Sequence, residues 1–107
     1  MTKRVVIGAE VVAAAKECAA QVMGIAVEDF GRADAAPHWS ANRARYVAFA
    51  GLIEAFPGAN QSQLARDLGV VNRPDAWATR LRNQAMTARW WRDDYAAQVA
   101  ARVRAAA

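Results

Sequence analysis

Apolar residues recur at every third or fourth position along most of the chain, which is the spacing of one face of an α-helix. The first such run covers residues 9–23, and Gly24 follows it as a residue that suits the end of a helix. Residues 25–30 are predicted to form a short helical turn, and residues 31–38 a loop with several helix-breaking residues. Since no segment alternates apolar and polar residues as a strand does, the pattern predicts an all-α fold.

The run from residue 39 to residue 56 carries two apolar stripes instead of one. Val47 and Leu52 lie on the first stripe, and Phe49 and Phe56 lie on the second. A helix that is apolar around much of its circumference must be covered by neighbouring elements on several sides. We therefore expect this helix to lie at the centre of the fold.

Residues 60–86 have the pattern of a helix-turn-helix. Asn60 suits the N-cap of a short first helix, and Gly69 suits the end of that helix. A turn follows, and then a second helix in which Trp77 and Leu81 lie on one apolar face. Two short helices joined by a tight turn are typical of DNA-binding helix-turn-helix units.

Length and composition are consistent with one small helical domain. A last helix after residue 93 would complete a compact bundle of five to six helices, in a single domain that covers residues 1–107. Residues 1–8 are expected to be flexible. The chain is 55% apolar, which excludes a disordered tail, and its 28 alanines favour closely packed helices.

The basic charge is concentrated in the second part of the chain. Residues 1–40 hold 4 basic and 5 acidic residues, whereas residues 41–107 hold 10 basic and 5 acidic residues, a net charge of +5. A basic segment that contains a helix-turn-helix favours an anionic partner, and double-stranded DNA is the first candidate.

Other classes of function find little support in the sequence. The single histidine, His38, has no catalytic partner in a motif, and the lone Cys18 is predicted to be a buried, reduced thiol. No metal-ligand spacing occurs, so we expect no enzyme activity, no metal and no cofactor. No segment has the roughly 18 apolar residues of a membrane span. The reduced thiol favours a cytoplasmic protein, and DNA binding would make it nucleoid-associated.

In a helix-turn-helix, the second helix lies in the major groove and its outward side chains meet the base edges. The candidates for base contacts are the residues that point away from the Trp77 stripe, namely Asp75, Ala78, Thr79, Arg82 and Met86. Arg82 suits a guanine, and Thr79 suits a thymine methyl group or a phosphate. Asp75 would accept a hydrogen bond from a cytosine amino group or repel a phosphate.

Candidates for contacts with the DNA backbone surround the first helix of the motif. Amides and a hydroxyl lie at its N-terminus, where phosphate oxygens are favoured, and arginines lie beside it. These candidates are Asn60, Gln61, Ser62, Gln63, Arg66 and Arg73.

Three segments carry a resemblance to a known family. Residues 24–30, G-I-A-V-E-D-F, are similar to a G-V-S-V-E-D-L segment, and residues 42–48, N-R-A-R-Y-V-A, to a V-R-A-R-Q-I-A segment. Residues 63–69, Q-L-A-R-D-L-G, are similar to E-I-G-R-A-F-G. In this order and spacing, residues 10–90 resemble the C-terminal DNA-binding domain, domain IV, of DnaA, the bacterial replication initiator.

The resemblance implies a Trp-repressor-like arrangement of helices and further DNA contacts. It implies that Arg32, in the loop before the long helix, enters the minor groove. Arg43 and Arg45 match arginines at the start of that helix and are candidates for contacts with the DNA backbone. For Arg45 a scaffold role, through a bond to the backbone near the motif, stays equally open.

The recognition helix departs from the family. At the family's D-H-T/S-T-V signature this chain has Arg73, Pro74, Asp75, Ala76 and Trp77. We therefore expect it to bind a site other than the initiator's own box.

Together these observations predict a sequence-specific, double-stranded DNA-binding transcription regulator, with an activator favoured. The chain resembles stand-alone DnaA-like activators of gene-transfer-agent or phage-like gene clusters, which implies RNA polymerase or a sigma-like protein as a partner. The alternative is an interaction adaptor on the same fold that contacts such a partner without reading DNA. The sequence leaves the oligomeric state and the target site open.

Overall fold

The computed structural model describes residues 7–32, 39–70, 75–76, 78–79 and 95–107, without the side chains of residues 29, 31–32 and 39–43. Helix α1 covers Ala9–Met23, a 3-10 helix covers Val27–Arg32, α2 covers Trp39–Ala55, α3 covers Gln61–Asp67 and α4 covers Ala97–Ala106. Residues 75–76 and 78–79 are also helical. Every element with defined bounds in these ranges is a helix and none is a strand, which confirms the all-α prediction.

Helix α1 ends where its sequence predicts. Gly24 has a φ angle of +70°, in the left-handed region that glycine adopts without steric cost. The N–H of Gly24 donates to the carbonyl of Gln21, and the N–H of Ile25 donates to the carbonyl of Ala20. These two bonds form a Schellman motif, which satisfies carbonyl groups that the end of the helix leaves without intrahelical partners.

Helix α2 lies at the centre of the described fold, as its two apolar stripes predict. Helices α1, α3 and α4 and the 3-10 helix all contact it. Val47 and Leu52 from the first stripe and Phe49 from the second are all buried. Burial on several faces explains why α2 carries apolar residues around most of its circumference.

Helices α2 and α4 approach each other closely at Gly51. A Cβ atom built on Gly51 would lie within overlap distance of Cγ1 of Val99 and 3.0 Å from the carbonyl oxygen of Ala96. Both distances are shorter than ordinary van der Waals contact, so the absence of a side chain at Gly51 sets the separation of the two helices. Val99 and Val103 of α4 lie four residues apart and are both fully buried.

The start of the described chain is packed against the core. Ile7 is buried, and its N–H donates to Oε1 of Gln63 in α3 at 3.4 Å. Ile7 therefore contacts a residue 56 positions away along the chain, while the flexibility expected of residues 1–8 stays a prediction. Residues 1–6 lie outside the described residues.

Cys18 of α1 faces α4 and is buried, as predicted. Burial raises the pKa of the Cys18 thiol above its ordinary value of 9.0, and the positive charge of Arg102 on α4 lowers it by a smaller amount. The protonated thiol is therefore the form that the fold stabilises.

We predict that Gly51→Ala destabilises the protein by about 1–3 kcal/mol, because the added methyl group would overlap Val99. Helix propensity alone predicts the opposite sign, a gain of about 0.5–1 kcal/mol. Urea denaturation measures the change. Val99→Ala should relieve part of the overlap, so the Gly51→Ala/Val99→Ala double variant should lose less stability than the two single losses combined. A stabilising Gly51→Ala change would contradict the close approach.

We also predict a pH dependence of stability that arises from Cys18. Its pKa is raised in the folded state, so the stability it contributes is present below the unfolded thiol pKa and is lost as pH rises through the folded pKa. The free energy of unfolding should therefore fall more steeply above about pH 9 for the wild type than for Cys18→Ala. Parallel pH profiles of the two proteins would disprove the assignment.

Candidate nucleic-acid interface

Helix α3 begins with a side-chain cap. The Asn60 backbone is extended, with φ −72° and ψ 107°, and its Oδ1 accepts a hydrogen bond from the N–H of Gln63 at 3.2 Å. This confirms the predicted N-cap, which satisfies one of the N–H groups that have no partner inside the helix. On the inner face of α3, Leu64 and Ala65 are fully buried.

The chain after α3 turns at Gly69. The N–H of Gly69 donates to the carbonyl of Arg66, and the N–H of Val70 donates to the carbonyl of Ala65, each at 3.0 Å. Gly69 has a φ angle of +102°, which side chains with a Cβ atom rarely adopt. A Cβ atom there would also lie 3.0 Å from the carbonyl oxygen of Phe30. Position 69 thus requires a glycine for two reasons, its positive φ angle and the close approach of the 3-10 helix.

Arg45 of α2 is fully buried, and its Nη2 donates to the carbonyl oxygen of Phe30 at 2.8 Å. This burial argues against the predicted contact of Arg45 with the DNA backbone, since a side chain with 0% exposure presents no surface to a phosphate. The bond to a backbone carbonyl supports the scaffold role, which the sequence left equally open. A buried guanidinium is stable only when it is paired or hydrogen-bonded, and the Phe30 carbonyl supplies one such bond.

The amide groups at the start of α3 are not equally available to a ligand. Oε1 of Gln63 accepts from Ile7 N–H, and its Nε2 donates to the carboxylate of Asp67, so both ends of this amide are used inside the protein. Gln61 and Ser62 are half-buried. Their side chains remain the better candidates for contacts with phosphate oxygens.

The exposed residues beyond the turn lie on one side of a helical segment. Asp75 and Thr79 are exposed and four residues apart, and the Thr79 hydroxyl donates to the carbonyl of Asp75 at 3.1 Å. Ala78 is only 2% exposed and belongs to the core. This burial argues against the predicted base contact of Ala78, because its methyl group packs inside the protein and presents almost no surface to DNA.

Several predicted contacts fall where the structure gives no side-chain description. Arg73, Arg82 and Met86 lie outside the described residues, as do the side chains of Arg32 and Arg43. Of the predicted arginines, Arg66 is described and exposed at the end of α3.

Two features of this region escaped the sequence reasoning. The Gln63–Asp67 pair has the four-residue spacing at which helical side chains meet, so its signal is present in the sequence. A bond from Arg45 to the backbone was one of its two predicted roles, but the sequence does not indicate the acceptor, because the Phe30 carbonyl is a backbone group 15 residues away.

The described residues show neither of two alternative kinds of site. They contain no group of three or more histidine, cysteine, aspartate or glutamate side chains that could hold a metal ion. No helix among them is long and apolar enough to cross a membrane.

Comparison of the chain with protein-family models, curated proteins and solved structures finds no match. The resemblance to the DnaA domain therefore remains a prediction.

We predict that Asn60→Ala destabilises the protein by about 1 kcal/mol, because the N–H of Gln63 loses its acceptor. Asn60→Ser is the matched control, since a serine hydroxyl can accept the same bond and should retain most of the stability. Thermal or urea denaturation of the three proteins gives the comparison. Equal losses for alanine and serine would show that the side-chain cap is unimportant.

Proposed function

We propose that this protein is a sequence-specific, double-stranded DNA-binding transcription regulator that contacts DNA through residues 60–86. The observation that carries the proposal is the order of elements in this region. A capped helix, α3, is followed by a left-handed glycine, Gly69, and then by helical residues with an exposed side at Asp75 and Thr79. This order supports a helix-turn-helix, in which the second helix enters the major groove.

Contacts with phosphates would come from the basic surface around α3. Arg66 is exposed in the last turn of this helix, and its side chain is free of the core. Residues 41–107 carry a net charge of +5. Cations that neutralise phosphates release counterions from DNA, so the proposal requires affinity that falls as the salt concentration rises.

Base reading would come from the exposed side of the second helix. The Thr79 hydroxyl donates to the carbonyl of Asp75, so donation to a phosphate would require this bond to break. This bond favours the other predicted role of Thr79, contact of its methyl group with a thymine methyl group. Asp75 is exposed and would accept a hydrogen bond from a cytosine amino group, while Arg82 would bind a guanine.

The partner at the promoter follows from the resemblance to DnaA-like activators. In this proposal the bound protein activates transcription through RNA polymerase or a sigma-like protein. Co-purification of polymerase subunits should therefore be lost, or strongly reduced, after nuclease treatment. Full retention after that treatment would favour the interaction adaptor instead.

Selection of duplexes from a random pool tests the proposed function. The expected result is an enriched motif. The logarithm of the binding constant should also fall linearly with the logarithm of the salt concentration. A pool without enrichment, with no salt-dependent binding of any duplex, would overturn the proposal.

We predict that Arg66→Ala and Arg82→Ala affect DNA binding differently. Loss of Arg66 should weaken binding to selected and random duplexes alike and reduce the salt slope by about 1. Loss of Arg82 should cost about 1–3 kcal/mol on the selected duplex and much less on random DNA. Electrophoretic mobility shift or fluorescence anisotropy at several salt concentrations measures both effects. An equal loss on both duplexes for Arg82→Ala would contradict its role in base reading.

A further inference from the structure

The side chain of Arg45 lies where three separate parts of the chain meet. It extends from α2, and its Nη2 donates to the carbonyl oxygen of Phe30 in the 3-10 helix at 2.8 Å. The same nitrogen lies 3.1 Å from the position that a Cβ atom would occupy on Gly69. One guanidinium group therefore fits between the 3-10 helix and the turn that follows α3.

Both of these neighbours belong to segments that the proposed function places on DNA. Phe30 precedes Arg32, the minor-groove candidate, by two residues in the same 3-10 helix. Gly69 lies between the exposed Arg66 of α3 and the exposed Asp75 beyond the turn. The Phe30 carbonyl oxygen would also lie 3.0 Å from a Cβ atom on Gly69, so the two segments nearly touch at the guanidinium.

An arginine is a costly choice for this position if stability alone is considered. Arg45 has no exposed surface, and removing a cation from water carries a large desolvation penalty. A planar guanidinium, however, presents its donors in a fixed geometry, whereas the flexible ammonium group of lysine does not. The group is therefore suited to hold two backbone segments at a defined separation.

We propose that Arg45 is a positioning residue for DNA binding. Without touching DNA, it fixes the 3-10 helix that leads to Arg32 relative to the turn at Gly69. The minor-groove segment and the helix-turn-helix then meet one duplex in a single register. This inference depends on the proposed function.

Three variants disturb this contact in different ways. Arg45→Met removes the donors and the charge but keeps an unbranched stem, and Arg45→Lys keeps the charge without the planar group. Gly69→Ala leaves every charge in place but puts a methyl group against both Nη2 of Arg45 and the Phe30 carbonyl. Gly51→Ala is the control, since it perturbs the packing of α2 at the distant contact with Val99.

The experiment measures affinity for the selected and random duplexes at several salt concentrations. Circular dichroism first establishes a temperature at which each variant is fully folded. We expect Arg45→Met and Gly69→Ala each to weaken binding to the selected duplex about tenfold, the effect of losing one buried charged hydrogen bond. Arg45→Lys should fall between Arg45→Met and the wild type, and folded Gly51→Ala should bind as the wild type does.

A second readout separates positioning from direct contact. The slope of log affinity against log salt concentration reports the number of phosphate contacts. If the two segments lose their common register, this slope should decrease more in Arg45→Met than in Arg66→Ala, which removes a single phosphate contact. The Arg45→Met/Gly69→Ala double variant should have about the same affinity for the selected duplex as whichever single variant binds it less tightly. The two losses should not add, because both changes disturb the same contact.

Each remaining outcome overturns a definite part of the argument. Wild-type protein that binds no duplex overturns the proposed function, and the positioning role falls with it. Wild-type binding with unchanged affinity in folded Arg45→Met and Gly69→Ala overturns the positioning role alone. Loss of the fold in all three variants, while Gly51→Ala folds, would assign Arg45 to stability and also overturn the proposal.

Discussion

Helix α2 is enclosed by its neighbours, and its close contact with α4 at Gly51 determines how tightly the bundle packs. Val99 occupies the space that a side chain at Gly51 would fill. Every other helix with defined bounds in the structure contacts α2, so its position fixes theirs. The many alanines are consistent with this arrangement, because small side chains allow helix backbones to approach closely while large ones keep them apart.

The region proposed to bind DNA is held to this core by a mixture of apolar and polar contacts. Leu64 and Leu68 bury one face of the α3 region, as a short amphipathic helix requires. The polar contacts then define its orientation, through the Asn60 cap, the bond between Ile7 and Gln63, and the bond between Arg45 and Phe30. Since α3 has only 7 residues and would be marginal in isolation, its stability depends on this tertiary packing.

The same contacts divide the polar residues of the region into two groups. Asn60, Gln63 and Arg45 all hold parts of the fold together, although the sequence suggested phosphate contacts for each. Arg66, Asp75 and Thr79 are exposed and remain the described residues most suited to a DNA partner. A polar side chain near a helix start can therefore serve either role, and the choice depends on which acceptors and donors the fold brings close to it.

The sequence by itself determined the helices and their ends, because these depend on local physics. The three-to-four-residue spacing located α1, α2 and α3, and residues near the helix ends, Gly24, Asn60 and Gly69, marked where turns occur. The tertiary structure alone decided the roles of Ile7, Arg45 and Ala78. Ile7 and Arg45 are held by partners far away in the chain, and Ala78 is buried by the packing of the fold. Local periodicity specifies which face of a helix is apolar, but contacts between distant residues are set only when the helices pack together.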